Sequence, residues 1–333
     1  MARSRKYFLI ALLTSLTSLF MQGSLAWDSV GHRLSASIAI HYLGDDSKTE
    51  LLRILRQHPR FQEDFLQQMP ASIVSGNSEE RFNWLLGQAA FWPDIVRGLP
   101  ETERDKYNRA NWHYIDGAWL RGQADIQGNT YIGVSPFADI AGQAADSVRS
   151  EASADNVMTA LDFNTALLGN SQTPMSQRAV ALCWVLHLVA DIHQPLHVGS
   201  LYTANLFSNG DRGGNGVQTE NRNLHARWDR ALSGNGVNAN LEAVLTQHAT
   251  ALERMDERDY GDWSLWMMES RALLLNTVYS NDMKTTIARK DSSSQPLDEF
   301  NLSDDYVATM KYHAGMRLAL AGRRLAIWFE SNL

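Results

Sequence analysis

A long apolar segment interrupted by ionisable side chains, at residues 179–197, constrains this chain more than any other feature. Before Asp191, His187 is the only strongly polar side chain in the segment. On a helix these two residues, four positions apart, would project from the same face. Pro195 would end that helix and turn the chain, so that His197 could approach from another direction. Buried ionisable groups need partners, and these donors suit a zinc ion, although a His–Asp pair that only packs in the core fits the pattern equally well.

Two further parts of the chain repeat this combination of donors. His225 and Asp229 again stand four residues apart, about one helical turn. Asp94 and His113 each lie beside bulky aromatic residues. One His–Asp pair carries little weight in a chain with ten histidines. Two such pairs, with further donors in apolar surroundings, favour a metal site over coincidence.

The N-terminal segment has the composition of a secretory signal peptide. Three basic residues precede an apolar stretch at 7–21, and small residues end the segment at Ala26. The alternative, a membrane anchor, would need about 20 apolar residues. We therefore expect residues 1–26 to be cleaved and residues 27–333 to form one domain without a membrane span. Trp27 would then be the first residue of an exported protein, either periplasmic or secreted.

The composition limits the classes of protein to which the chain can belong. Cys183 is the only cysteine, which excludes an internal disulfide. We interpret it as an apolar core residue rather than as a zinc ligand. Removing the three basic residues of the leader takes the formal net charge from −7 to −10, which argues against a simple basic patch for nucleic acid. An enzyme that acts on phosphates stays compatible, because bound cations can be the largest local charges in a site.

The hydrophobic periodicity is helical along most of the chain. It predicts a mainly α fold, one large helical domain with few short strands. The best strand signal is at 130–134, a glycine- and asparagine-rich loop is expected at 208–216, and a polar linker at 291–295. Thr173 is the expected N-cap of the clearest helix. The predicted helices lie at 30–43, 47–57, 79–90, 138–150, 154–168, 175–194, 223–232, 240–253, 262–280 and 304–330.

The order of the candidate ligands resembles that of the S1/P1 family of trinuclear-zinc nucleases, which is related in fold to zinc-dependent phospholipase C. Without disulfides and with a short signal peptide, the chain looks like a bacterial member of that family. The matching positions are Trp27, Gly31-His32, Asp94, His113, His187, Asp191, His197, His225 and Asp229.

The resemblance implies three zinc ions. The first would be held by Asp94, His113, His187 and Asp191. The second would be held by His197, His225 and Asp229. The third would take His32, the bridging Asp191, and the free amine and carbonyl of Trp27. A free α-amine titrates near pH ~7.7–8, so a metal can displace its proton at little cost once the leader is removed.

The resemblance also implies a reaction. A metal-activated hydroxide would attack the phosphorus of single-stranded DNA or RNA, and another zinc would stabilise the departing 3′-oxygen. The products would be 5′-nucleotides, 3′-nucleotides would also be substrates, and the enzyme would be a monomer without a stable protein partner. Asp94, Arg97 and Asp116 would be catalytic, with Arg97 binding phosphate and Asp116 orienting water. Tyr114 would stack on a base; the alternatives are a surface role for Arg97 and a core role for Tyr114.

Two other functions stay compatible with the sequence. Zinc-dependent phospholipase C has a similar fold and site, but that group usually has Glu at the position of Asp229 and a longer interval after the terminal Trp. A non-catalytic exported zinc-binding protein would fill its coordination shells with protein ligands.

Arg230 stands where the better-known nucleases have a small polar residue that contacts the base, so no base preference is predicted. His193 is expected to be structural, and no ligand role is expected for His41, His58, His248 or His313.

Overall fold

The computed structural model describes residues 27–115, 129–134, 150–255 and 260–333. The predicted leader and Asp116 lie outside these ranges, as do all but the last residue of the helix predicted at 138–150. Within them the chain forms twelve α-helices and four strands of two residues each, so the mainly α prediction is confirmed. The helices are α1 (Ser29–Tyr42), α2 (Asp45–Leu55), α3 (Ala71–Val74), α4 (Ser78–Ile95), α5 (Glu101–Tyr107), α6 (Val157–Gly169), α7 (Met175–Ile192), α8 (Leu224–Asp229), α9 (Gly236–Glu253), α10 (Trp263–Leu273), α11 (Asn281–Ser292) and α12 (Asp304–Asn332). The strands are β1 (Thr130–Tyr131), β2 (Leu201–Tyr202), β3 (Gln218–Thr219) and β4 (Arg222–Asn223).

Helix α7 runs through the middle of the protein. Its N-cap is Pro174, one residue later than the predicted Thr173, and no side chain caps the helix. The helix packs against α1, α2, α4, α6, α10 and α12. Of the described helices, α7 alone is long and apolar enough to cross a membrane, but 78% of its most apolar window is buried inside the protein. That degree of burial is typical of a core helix.

Four short strands precede α8 in the described part of the chain. Strands β1 and β2 pair in parallel, so the strand predicted at 130–134 is two residues long. Strands β3 and β4 form an antiparallel hairpin, with Asn221 at a φ of 66° in its turn; asparagine tolerates that conformation better than most residues. The side chain of Asn223 then accepts from the backbone N–H of Ala226 and caps α8. The hairpin therefore orients the helix that carries the second His–Asp pair.

Among the described residues, the apolar core consists of two clusters. One includes the buried faces of α4, α6 and α7, with Trp92 and Trp184 among its largest side chains. The other joins α1, α9 and α12 to the region around α8, with Trp27 and Trp228 inside it. Helices α1, α4 and α7 contact one another directly. Polar side chains where these helices meet are therefore buried together.

Candidate metal centre

Three groups of buried histidine and aspartate side chains lie where α1, α4, α7 and α8 approach one another. Two of them also draw on the 3-10 turns Ala110–His113 and Pro195–His197. Within each group the ligand atoms all lie within 4.8 Å of one another. The groups are His32, Asp94 and His187; His113, His187 and Asp191; and His197, His225 and Asp229.

His187 belongs to the first two groups and joins them. Its Nδ1 donates to the carbonyl of Ala90 at 2.8 Å, which directs Nε2 at the cluster. That Nε2 lies 2.9 Å from Nδ1 of His113 and 3.1 Å from Oδ2 of Asp191. Nδ1 of His113 is itself 3.1 Å from the same oxygen. Two acceptors therefore compete for the one proton that a neutral His113 can supply, whereas a cation would satisfy all three atoms.

His32 and Asp94 hold buried polar atoms that lack hydrogen bonds among the described residues. Neither ring nitrogen of His32 has a partner, although the ring stacks on that of His187 with 3.9 Å between centroids. Its Nε2 lies 3.6 Å from Oδ1 of Asp191. The oxygens of Asp94 make no hydrogen bond of good geometry, while Nη2 of Arg97 approaches one of them at 3.1 Å. Buried polar atoms without partners cost free energy, so both residues fit the role of metal ligand.

The backbone holds the third group in a similar way. Nδ1 of His197 donates to the carbonyl of His113 at 2.7 Å, and Nδ1 of His225 donates to that of Gly213 at 2.6 Å. The two Nε2 atoms, both acceptors in the neutral rings, therefore face each other at 3.2 Å. Oδ2 of Asp229 lies 3.4 Å from Nε2 of His225. Facing lone pairs repel unless a proton or a cation lies between them, so this group also fits a metal, with three protein ligands.

Burial controls the protonation of these groups. It lowers the pKa of three of the imidazoles well below the usual value, and nearby positive charge lowers it further; these are His32, His113 and His197. Such rings are neutral at pH 7, which is the form that binds metal. Burial also raises the pKa of Asp191 to about 6 and holds that of Asp229 well above its usual range. A bound cation would offset the penalty of burying both carboxylates.

Trp27, the predicted first residue of the mature chain, packs beside these groups. It is buried, and its indole N–H donates to the carbonyl of Ala190 at 2.9 Å. The backbone N–H of Asp28 donates to the carbonyl of Asp229 at 3.2 Å. Gly31 permits this docking, because a Cβ there would lie 2.7 Å from Cβ of Trp27. The start of the described chain therefore lies between α7 and α8.

The two described residues that were predicted to contact substrate are both partly exposed. Arg97 has 23% of its side chain exposed next to Asp94, and its charge acts on several of the buried imidazoles. Tyr114 is 47% exposed, which excludes the alternative of a core residue. Asp116 lies outside the described residues. Arg97 and Tyr114 are therefore accessible to a substrate that approaches the centre.

Comparison with known proteins identifies the family of this chain. The model of the family described as S1/P1 nuclease matches residues 27–333. The chain belongs to the S1/P1 nuclease family. The match begins at Trp27 and confirms the resemblance drawn from the order of the ligands.

Two relatives that match most of the chain are plant endonucleases. Endonuclease 3 of Arabidopsis thaliana is 22% identical over 340 residues, which cover 98% of this chain and 95% of that protein. Endonuclease 5 of the same plant is 22% identical over 92% of this chain and 90% of its own length. Nuclease S1 of Aspergillus oryzae is 26% identical over 171 residues, 48% of this chain and 56% of that protein. As a member of this family, the chain is a hydrolytic nuclease.

Two residues that orient candidate ligands of this S1/P1 nuclease were not singled out in the sequence. Gln194 is fully buried; its Nε2 donates to Oδ1 of Asp229 at 2.8 Å, and its Oε1 accepts from the N–H of Leu196 at 2.6 Å. Gly213 supplies the carbonyl that fixes the ring of His225. Gln194 could have been suspected from its place inside the ligand motif. Gly213 could have been suspected only from its place in the glycine-rich loop.

The remaining histidines lie outside all three groups. Nδ1 of His193 donates to the carbonyl of Val189 at 2.7 Å, and its Nε2 accepts from Arg324 at 2.8 Å. His193 therefore ties the end of α7 to α12, the structural role expected for it. Among the described residues, the three groups also exclude His41, His58, His248 and His313.

Proposed function

We propose that this chain is an exported, zinc-dependent nuclease that hydrolyses single-stranded DNA and RNA to 5′-nucleotides and also acts on 3′-nucleotides. The observation that carries the proposal is the set of three buried groups of histidine and aspartate donors, two of them joined through His187, in a member of a nuclease family. Nitrogen and oxygen donors of these types are typical zinc ligands. The start of the family match at Trp27 supports removal of residues 1–26, and residues 27–333 would act as a single monomeric domain.

The proposed ligand sets use every residue of the three groups. One zinc is assigned to Asp94, His113, His187 and Asp191, and a second to His197, His225 and Asp229. A third is assigned to His32, the bridging Asp191, and the amine and carbonyl of Trp27. When bound, such ions polarise a phosphoryl oxygen and bring the pKa of a water towards ~7, which is the Lewis-acid chemistry of phosphodiester hydrolysis.

The chain's own side chains supply the contacts that orient a substrate. The guanidinium of Arg97, partly exposed beside Asp94, is placed to donate to a phosphate oxygen. The exposed ring of Tyr114 offers a stacking surface for an unpaired base, which supports a preference for single strands. Asp116 would orient the attacking water. Among the described residues, the group around Asp229 offers three donors, and a zinc ion with three protein ligands keeps a position for water or substrate, as in catalytic sites.

Substrate assays separate the proposed function from its two alternatives. We expect the mature protein to cleave single-stranded DNA and RNA faster than double-stranded DNA, to leave 5′-phosphates, and to lose activity in chelator until zinc returns. Hydrolysis of phosphatidylcholine without cleavage of nucleic acid would identify a phospholipase C instead. Zinc binding without hydrolysis of any phosphoester would identify a zinc-binding protein.

A substitution at the bridging carboxylate tests the site itself. Asp191→Asn should lower kcat/KM on single-stranded DNA by about 100-fold or more and reduce zinc content, because two of the proposed ions share this group. Asp282→Asn, at an exposed position in the first turn of α11, is the matched control and should leave both unchanged. Full activity and zinc content in Asp191→Asn would refute the assignment.

A further inference from the structure

Phe91 places a phenyl ring beside the candidate metal centre. On α4 it follows Ala90, whose carbonyl accepts from Nδ1 of His187, and it precedes Asp94 by about one helical turn. Its ring contacts the ring of His32, with 6.3 Å between the centroids and 36° between the planes. That separation is within the usual range for a pair of aromatic rings. Phe91 therefore adjoins the group formed by His32, Asp94 and His187.

The phenyl ring does not belong to the apolar core. Phe91 is partly exposed and packs against neither of the two apolar clusters that the described residues form. Ile95, four residues later on the same face of α4, is also partly exposed and also outside both clusters. Packing in the core therefore does not account for these two side chains next to Asp94. Ligand sites commonly combine apolar and aromatic walls with a few polar groups, and this face of α4 has that combination.

Tyr114 adjoins a different ligand of the same centre. It directly follows His113 and is 47% exposed. The ring of His187 stacks on that of His32 with 3.9 Å between centroids, and it meets the ring of His113 edge-on at 4.7 Å. Phe91 and Tyr114 are thus the neighbours of two different imidazoles, both of which contact His187.

We infer that Phe91 stacks on a second base of the nucleic-acid chain, next to the nucleotide whose base contacts Tyr114. The inference rests on the proposed function and deepens it. A chain that is cleaved between two nucleotides carries a base on each side of the phosphate, and an aromatic ring can stack on a base of any type. Two such contacts would favour unpaired strands more than one does. They would also favour substrates with two bases over a mononucleotide, without selecting a sequence.

Dinucleotides that lack one base test the contact. The substrates are thymidylyl-thymidine and two abasic analogues, each of which lacks one of the two thymines. For the zinc-loaded unchanged protein, we expect the loss of either base to lower kcat/KM about tenfold. In Phe91→Ala the loss of one of the two bases should no longer matter, and in Tyr114→Ala the loss of the other should no longer matter. A structural role alone would lower kcat/KM on all three substrates by the same factor.

Three further variants control for the loss of volume and of packing. Phe91→Tyr keeps the aromatic face and should keep the dependence on both bases, whereas Phe91→Leu keeps an apolar side chain and should lose it for one base. Phe82 is also partly exposed on α4, but it packs against an apolar cluster about 14 Å away along the helix axis. Phe82→Ala should therefore keep the dependence on both bases. The inference is overturned if Phe91→Ala keeps it too, or if Phe91→Ala and Tyr114→Ala lose it for the same base.

Binding without turnover separates this inference from the proposed function. The probe is a ten-residue oligothymidylate with phosphorodithioate linkages, which resist hydrolysis. Phe91→Ala should bind it about tenfold more weakly than the unchanged protein does, and both proteins should bind an abasic chain of the same length equally. The slope of log Kd against log salt should be the same for both proteins, because stacking releases no counterions from phosphate.

The two failures have different signatures. If the unchanged protein cleaves no nucleic acid, the proposed function fails, while the binding measurement still decides the contact. If the protein cleaves nucleic acid but Phe91→Ala binds the oligothymidylate as tightly as the unchanged protein, only the inference fails. A defect of Phe91→Ala confined to hydrolysis of phosphatidylcholine would also overturn it, because the ring would then contact an acyl chain.

Discussion

At the scale of single residues, the candidate metal centre depends on backbone carbonyls that bond to Nδ1 of its imidazoles. His187, His197 and His225 each donate Nδ1–H to a carbonyl at 2.6 to 2.8 Å, and each thereby turns an Nε2 lone pair towards the cluster. Partners of this kind orient metal ligands and raise their basicity. Every residue has a backbone carbonyl, so no residue type marks the ones that orient the imidazoles. The sequence pattern therefore predicts the imidazoles but not the carbonyls that bond to them.

Gln194 allows a test of the hydrogen bonds that orient the candidate ligands. Gln194→Ala removes the donor to Oδ1 of Asp229 and should weaken the zinc bound by that group by about 10- to 100-fold. Zinc affinity can be measured by competition with a chelating dye. Gln68→Ala is the control, because Gln68 is exposed and bonds only to the carbonyl of Glu63 among the described residues. Unchanged zinc affinity in Gln194→Ala would show that Asp229 is oriented without it.

His58 gives a pH-dependent prediction outside the metal centre. Burial lowers its pKa from 6.5 to about 3, and the ring packs edge-on against Trp92. Between those two values the unfolded chain binds a proton that the folded chain does not, so the free energy of unfolding falls as pH drops from 6.5 towards 3. His58→Gln should remove up to about 1.4 kcal/mol per pH unit of that decline.

The measurement is urea unfolding of the zinc-free protein at several pH values between 4 and 7. His41→Gln is the control, because His41 is exposed near the end of α1. The same slope of unfolding free energy against pH in His58→Gln and in the unchanged protein would contradict the prediction.

At the scale of elements, the sequence predicts the helices that bury an apolar face and misses those that do not. Neither α5 nor α11 was predicted. Helix α5 has no buried residue, so it has no hydrophobic periodicity to detect. Helix α11 buries only Met283, Ile287 and Asp291, which is too short an apolar pattern, and the predicted linker therefore begins after Ser292 rather than at 291. The predicted helix at 262–280 is divided into α10 and a π-helical turn, Leu274–Val278.

The backbone conformation of the loop before the β3–β4 hairpin can be tested at Gly213. Gly236, the first residue of α9, is the reference position. Gly213 has a φ of +58°, and a Cβ there would lie 2.2 Å from the carbonyl oxygen of Leu196. Gly236 has a φ of +74° but no atom within 4 Å of such a Cβ. Gly236→Ala should lower the free energy of unfolding by about 1–3 kcal/mol, because its φ of 74° and ψ of 175° lie in a region that is essentially restricted to glycine. Gly213→Ala should cost about 1–3 kcal/mol more, because the clash is with backbone.

Urea unfolding of the zinc-free proteins gives both values. Zinc affinity should fall in Gly213→Ala alone, because the Gly213 carbonyl orients His225. Equal losses of stability in the two variants would show that the loop relaxes around the added methyl group.

At the scale of the whole molecule, the candidate centre is assembled from segments that are far apart in the chain. His32 on α1, Asp94 on α4, His187 on α7 and His225 on α8 meet only after these helices pack. The order of the ligands is enough to predict the family. It cannot predict that Tyr114 is exposed or that the carbonyl of Gly213 accepts from Nδ1 of His225, because both facts depend on how the chain packs.

Trp27 links the chemistry to the processing of the whole chain. We expect the chain that begins at Trp27 to bind about three zinc ions, and a variant with one additional N-terminal residue to lose one ion and most of its turnover, because its α-amine no longer lies on Trp27. Elemental analysis and nuclease rates are the measurements, and thermal unfolding of the zinc-free proteins controls for folding. Equal zinc content and rate in the two proteins would remove the Trp27 amine from the site.

Cys183 gives the molecule a built-in reporter. The thiol is fully buried on α7, and burial raises its pKa well above the usual value, so it should be inert to alkylating reagents and to oxidants while the helix stays packed. Since no other cysteine competes for the reagent, the rate of covalent labelling would report how often the central helix opens. The same thiol would record, without an engineered cysteine, how firmly bound cations hold the surrounding helices closed.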